Sequence, residues 1–230
     1  GKTLLAIEAA RRAAAAGRKT LFLCYNKLIG EWLKKETREF QPSVDTLTIS
    51  EFIMRTAGIS HKPEEADESW WDGELLEQAR VKMLENETYY AYEELVIDEA
   101  QDFLGKPLQL LLESLIRGGI PRGKWRMFGD FEGQNIFNSK SFDKKIFDDV
   151  RTTDSANYNL SINCRNTKPI SSYVELLGGL DNPYTKTLRD GNNVQPDFAY
   201  FKNQDEDVEK EIIKCVEKEI LLLGCTINGL

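Results

Sequence analysis

A single histidine, His61, and four cysteines with no C-x-x-C pair among them give the 230-residue chain little from which to build a Cys/His metal site. Cys24, Cys164, Cys215 and Cys225 read instead as reduced thiols serving as small core residues, which points to a reducing cytosol. No apolar run approaches the roughly 20 residues needed to span a bilayer, and the N-terminus lacks the layout of a signal peptide, so a soluble, cytoplasmic protein is expected with no membrane partner. Internal repeats are absent, as is low complexity beyond one alanine run. The first residue is Gly, not Met, and the chain therefore reads as a fragment or a processed product.

What the sequence does hold is enough apolar material for a core, 41% hydrophobic residues with 10% aromatic, which argues against disorder. The net charge of −8 looks unfavourable for a nucleic-acid partner. Its distribution changes that reading. Residues 1–60 carry +4 and 101–150 carry +1, whereas 61–100 alone carry −10. The acidity belongs to one segment, and the remainder is close to neutral or basic.

Helical and strand patterns alternate along the chain. Lys2 to about Ala16 reads as a helix stopped by Gly17, and Thr20 to Cys24 as a buried strand. Leu28, Ile29, Trp32 and Leu33 recur at helical spacing. A short TLTIS segment at 46–50 precedes a further helix that Ser50 is placed to cap. Residues 60–94 form a polar stretch and an acidic amphipathic helix. Leu95–Asp98 is a second buried strand, Pro107 opens a helix that Gly118 and Gly119 end, and Trp125–Phe128 is a third strand. Further strands are expected at 159–163 and 197–201, with a last helix near 205–223. This alternation implies an α/β fold, a mainly parallel sheet with helices on both faces.

Two segments carry chemistry. Gly1-Lys2-Thr3 opens a helix directly and matches the end of the G-x-x-x-x-G-K-[ST] phosphate loop. There the Lys reaches the β/γ-phosphates, the Thr hydroxyl binds Mg²⁺, and the helix N-terminus presents free N–H groups to the anion. Leu95-Val96-Ile97-Asp98-Glu99 puts one carboxylate at the carboxyl end of a buried strand, able to hold Mg²⁺, and a second beside it to polarise water. Either segment has an ordinary competitor: a plain helix start, and a strand ended by solvated acids. Their joint occurrence favours an ATPase site.

With those residues in view, the chain resembles the UvrD-like branch of superfamily 1 helicases, and further segments follow in that family's order. Asp98-Glu99-Ala100-Gln101-Asp102 is similar to the second motif, Gly129 to Phe137 to the GDxxQxIY segment, and Leu160 to Thr167 to LxxNYRST. Cys24-Tyr25-Asn26-Lys27 and Leu47-Thr48-Ile49-Ser50 resemble the two segments that contact single strands. The resemblance implies a RecA-like P-loop NTPase, with ATP and Mg²⁺ as cofactors and single-stranded nucleic acid, DNA before RNA, as partner. Gly1 and Lys2 would bind phosphate, Thr3 and Asp98 the Mg²⁺, and Glu99 would be the general base. Gln134 would sense the γ-phosphate and Arg165 would act as the arginine finger. Simpler readings stand beside those last two: a loop amide and a strand-end surface Arg. By motif position Tyr25, Asn26, Lys27, Thr48, Phe137 and Trp125 are the nucleic-acid candidates, with core packing as the alternative for the last two. Trp70 and Trp71 read as packing residues, because their acidic surroundings repel phosphate.

The expected organisation is a first RecA-like domain over residues 1–155, with a small acidic helical insertion at 60–94, and the beginning of a second domain at 156–230. Nothing in the sequence sets an oligomeric state, and a monomer is compatible with it. Departures from the family pattern carry consequences. Three residues, not two, separate Asp130 from Gln134, and Cys164 stands where the family has Tyr. Only 42 residues (53–94) lie between the TISEF and LVIDEAQD segments, short for an elaborate strand-separating insertion. The glycine-rich residues that normally precede GKT are not in this chain, so residues 1–230 alone are expected to bind MgATP weakly.

Overall fold

A computed structural model describes residues 1–65, 67, 70–86, 91–102, 106–130, 156, 158–178, 184–189 and 210–215. By internal packing the chain divides into two units, Gly1–Leu160 and Ser161–Leu230.

The first unit is built on a four-stranded sheet, β1 (Thr20–Cys24), β2 (Val44–Thr48), β3 (Glu94–Asp98) and β4 (Lys124–Phe128), in the spatial order β2-β1-β3-β4. Every pairing is parallel, with Leu21 opposite both Asp45 and Leu95, and Asp98 opposite Phe128. Parallel strands need crossovers, and helices supply them. These are α1 (Lys2–Ala15), α2 (Lys27–Glu36), α3 (Ile49–Ala57), α4 (Leu75–Glu85), α5 (Lys106–Leu115) and the short α6 (Gly119–Arg122).

β1 and β3 are buried along their whole length, as strands covered on both faces must be. Alternate side chains then enter different cores. Leu21, Leu23, Leu95 and Ile97 pack with Phe52 and Ile53 of α3, Leu75 and Met83 of α4, and Leu111 and Leu112 of α5. Phe22, Cys24 and Val96 point the other way, against Ala6, Ala9 and Ala10 of α1 and Leu33 of α2. Alanines along the inner face of α1 let that helix lie close to the sheet, and Gly17, at φ 69°, turns the chain from α1 toward β1.

Several expectations shift in detail. Thr48 caps α3, not Ser50: its hydroxyl accepts from the Glu51 amide while the Glu51 carboxylate accepts from the Thr48 amide. Thr48 has Glu three residues on, whereas Ser50 has Ile53 there, so only Thr48 forms the reciprocal box. The acidic helix α4 is not an appendage, because Leu75, Leu76, Ala79 and Met83 are buried in the larger core and its charged residues face outward. Trp70 and Trp71 meet edge to face, 5.0 Å between centroids at 78°, and pack on that core. Trp125 also packs there, partly buried, and its indole N–H donates to the Ile120 carbonyl at 2.7 Å, in line with the core-packing alternative. Of the thiols, Cys24 is buried as expected but Cys164 and Cys215 are exposed.

In the second unit, β5 (Ile162–Thr167) pairs in parallel with β6 (Lys186–Arg189), and α7 (Lys168–Gly178) follows β5. The strand expected at 159–163 therefore begins three residues later, where β6 offers partners: Ile162 faces Lys186 and Asn163 faces Thr187. Residues 210–215 are helical, inside the expected last helix. The strand expected at 197–201 lies outside the described residues.

Candidate functional site

Because the four strands run in parallel, their carboxyl ends Cys24, Thr48, Asp98 and Phe128 share one edge of the sheet, the edge where ligands bind in open α/β folds. The sequence brings its acids there. Asp98, the last residue of β3, is fully buried, and neither of its carboxylate oxygens has a hydrogen-bond partner. Burial drives its pKa upward and the Glu99 charge adds to this, while hydrogen bonding from the Thr3 side chain and the Glu99 backbone, and the charge of Lys2, pull it back. Thr3 thus stands within hydrogen-bonding reach of Asp98 and Lys2 acts on it by charge, although no contact has full hydrogen-bond geometry at either oxygen.

Lys2 and Thr3 are half-buried in the first turn of α1, which Gly1 caps without a side chain and in which no acidic residue stands. The leading N–H groups of that turn have no intrahelical acceptor and carry the positive end of the helix dipole. The Lys2 ammonium lies 4.0 Å from Asp130 Oδ2, just beyond β4. A helix start with Lys and Thr, and a buried carboxylate without partners, therefore meet at one place.

Glu99 follows Asp98 in the left-handed region, φ 51°, alone in this among the non-glycine described residues. Its Oε2 accepts from Gln101 Nε2 at 2.9 Å, and Gln101 Oε1 accepts from the Asp130 backbone N–H at 3.0 Å. Gln101 and Asp130 stand inside the DEAQD and 129–137 segments, where the sequence pattern alone points to no role for either. The available signal was weak: an amide two residues past the acids, in a chain turning under the strand ends.

Beside this centre, the loop after β1 divides its work. Asn26 Oδ1 accepts from the Leu28 and Ile29 amides and so caps α2. Tyr25 and Lys27 are exposed. Thr48 is buried, with its hydroxyl engaged in the α3 cap, so its side chain is not offered at the surface. Leu28 and Trp32 are exposed on α2, which adds a second exposed ring to that of Tyr25. Cys24, at the end of β1, is inert; burial, with Asp98 adding like charge, pushes its thiol up to about 12.

Arg165 is exposed on β5 of the second unit, its backbone N–H donating to Asn163 Oδ1 and its carbonyl accepting from Arg189. Buried Asn163 also accepts from the Asn166 amide and donates to Ser171 Oγ, and so shapes the backbone that carries Arg165. Gln134 and Phe137 lie outside the described residues.

Among the described residues no group of three or more His, Cys, Asp or Glu could hold a metal ion, and no helix is long and apolar enough to cross a membrane. Mg²⁺ does not need such a cage, since it is commonly held by one or two protein oxygens together with substrate phosphates and water. The buried, partnerless Asp98 with Thr3 alongside fits that requirement. No protein-family model matches the chain, and neither curated proteins nor solved structures give a match.

Proposed function

We propose that the chain is the ATP-binding and ATP-hydrolysing core of a UvrD-like superfamily 1 helicase, with a RecA-like fold, coupling turnover to movement along or unwinding of DNA. One observation carries the reading: Asp98, fully buried at the carboxyl end of a parallel strand, has no partner for either oxygen and stands beside the Lys2-Thr3 helix start. An unpartnered buried carboxylate is costly unless a ligand completes it.

In this reading Lys2 and the free N–H groups of α1 bind the β/γ-phosphates, and Thr3 and Asp98 hold Mg²⁺. The ion, when bound, neutralises charge developing on the phosphoryl oxygens. Glu99 accepts the proton of the attacking water, a task that needs its carboxylate held at hydrogen-bond reach. Gln134 and Arg165 keep the roles their motifs imply, γ-phosphate sensing and stabilisation of transition-state charge. Tyr25 and Trp32, with Lys27 between them, give a single strand rings to stack on and a cation for its backbone.

The test uses the full-length protein. Single-stranded DNA should stimulate ATP turnover; Lys2→Ala should weaken nucleotide binding, and Glu99→Gln should keep binding while abolishing turnover. Turnover without strand displacement on a tailed duplex would reassign the protein as a translocase or switch. No DNA-stimulated turnover would refute the enzyme reading in favour of a partner-binding scaffold.

A further inference from the structure

We propose that Gln101 is a positioning residue for the Glu99 carboxylate, clamping it to the end of β4 through a two-sided amide bracket. For its catalytic meaning the proposal rests on the ATPase reading above; the bracket itself does not.

Gln101 is 6% exposed and lies in the short turn Ala100–Asp102 that follows β3. Its two amide atoms face opposite kinds of partner. The Asp130 backbone N–H can only donate, so Oε1 must face it; the Glu99 carboxylate, when ionised, can only accept, so Nε2 must face that. The two contacts fix one orientation of the amide, and reversing it would set donor against donor and acceptor against acceptor. An amide one methylene shorter would not span both partners. A Glu would keep the acceptor for Asp130 but place a second carboxylate against Glu99. A Leu would fill the space and make neither bond.

The bracket acts where the backbone needs holding. A non-glycine residue in the left-handed region costs on the order of 1–3 kcal/mol and persists only where its surroundings over-determine it. Glu99 is such a residue, at φ 51°. Its side chain has three rotatable bonds, and Gln101 removes that freedom by tying it to a strand neighbour in the sheet. Asp130 then joins both halves of the site. Its backbone N–H holds the bracket, while its carboxylate is 4.0 Å from the Lys2 ammonium. The general base and the phosphate-binding cation are thereby referred to one residue at the exit of β4.

The experiment measures steady-state ATP hydrolysis and amide hydrogen exchange at Asp130 in the full-length protein, for wild type, Gln101→Leu and Gln101→Glu. In Gln101→Leu, kcat should fall at least about tenfold with KM for MgATP changed less than about threefold, as expected when a base loses position and not substrate binding. Exchange at Asp130 should accelerate by about tenfold or more once its acceptor is gone. Gln101→Glu should lower kcat while leaving Asp130 protected, a split that general loss of structure does not produce and that stands if the Leu variant fails to fold. Unchanged exchange in Gln101→Leu, or kcat in both variants within about twofold of wild type, overturns the proposal. A wild type that hydrolyses no ATP overturns the ATPase reading and the catalytic role together, and the exchange measurement then reports separately whether the bracket exists.

Discussion

Replacing Asp98 with Asn is expected to stabilise the ligand-free protein and to abolish Mg²⁺-dependent nucleotide binding, two effects of opposite sign from one substitution. Both oxygens of Asp98 are buried without partners, and Glu99 adds like charge, while Thr3 and Lys2 offset only part of the penalty. A buried unsatisfied polar group costs about 1–3 kcal/mol and a charged one more. Asn keeps the shape and sheds the charge, so a gain of about 1–2 kcal/mol is expected, with roughly 2–4 °C in Tm for each kcal/mol in a chain of this size. Urea denaturation followed by tryptophan fluorescence is the assay. All four tryptophans, Trp32, Trp70, Trp71 and Trp125, belong to the first unit, so the signal reports on the unit that holds Asp98. The pH dependence has a definite sign. Because the folded-state pKa of Asp98 is raised above the unfolded value, the folded wild type takes up its proton first as pH falls. Its stability relative to the Asn variant therefore recovers as pH drops through the raised value and has fully returned below the ordinary Asp range. MgATP should reverse the ranking, because a ligand at one hundred times its Kd stabilises by about 2.7 kcal/mol and the Asn variant gains none of it. A loss of more than about 1 kcal/mol in ligand-free Asp98→Asn would show that the carboxylate is satisfied within the fold, and would refute the reasoning.

Glu94→Gln should behave in the contrary way, losing about 1–2 kcal/mol in the same denaturation assay, because buried Glu94 loses its charge while Arg18 and the half-exposed Arg126 can turn to water; a gain in stability would contradict this. Gly30→Ala should also destabilise, although Ala is about 1 kcal/mol the better helix former. A β-carbon at Gly30 would sit 2.5 Å from Thr48 Cγ2 and 3.2 Å from Cys24 Sγ, and overpacking of that kind costs about 1–3 kcal/mol. Adding Thr48→Ser removes the offending methyl but keeps the capping hydroxyl, so the double variant should regain most of the loss; failure to recover would locate the strain elsewhere. Asn26→Ala should lose about 1 kcal/mol through the α2 cap and move the Tyr25–Lys27 loop, which circular dichroism and single-strand binding would register separately.

The strands and helices that position the site were legible because their causes are local. Three apolar residues between two acids make β3, and alanine spacing makes α1, whatever surrounds them. What the sequence concealed depends on pairing over distance. The start of β5 follows β6, some twenty residues on, and not its own apolar residues. Thr48 has the composition of a surface contact, but the reciprocal bond with Glu51 turns it into a cap, and Gly30 packs over its methyl group. Gln101 was unreadable for a similar reason: its partner Asp130 is 29 residues away, and only the adjacency of β3 and β4 brings the two together.

The two ends of β3 show how a fold can tolerate an orphaned charge. Glu94 and Asp98 begin and end the same five-residue strand, and both are fully buried. Glu94 faces the guanidinium groups of Arg18, at 2.6 Å, and Arg126, the latter as an ion pair whose geometry is not that of a hydrogen bond. Arg18 comes from the connection before β1 and Arg126 from neighbouring β4, so the charge is compensated by the chain itself. Nothing comparable reaches Asp98, although Lys2 stands nearby; its ammonium lies toward Asp130 instead. A carboxylate retained only for structure would be neutralised as Glu94 is, or replaced by an apolar residue at little cost. The proposed ATPase reading gives that lack of partners a reason, since a carboxylate at the ligand-binding edge of a parallel sheet would be completed by an external cation. The strand between the two acids is buried on both faces and hydrogen-bonded to β1 and β4, so the destabilisation at one end is borne by a segment that cannot easily relax away from it.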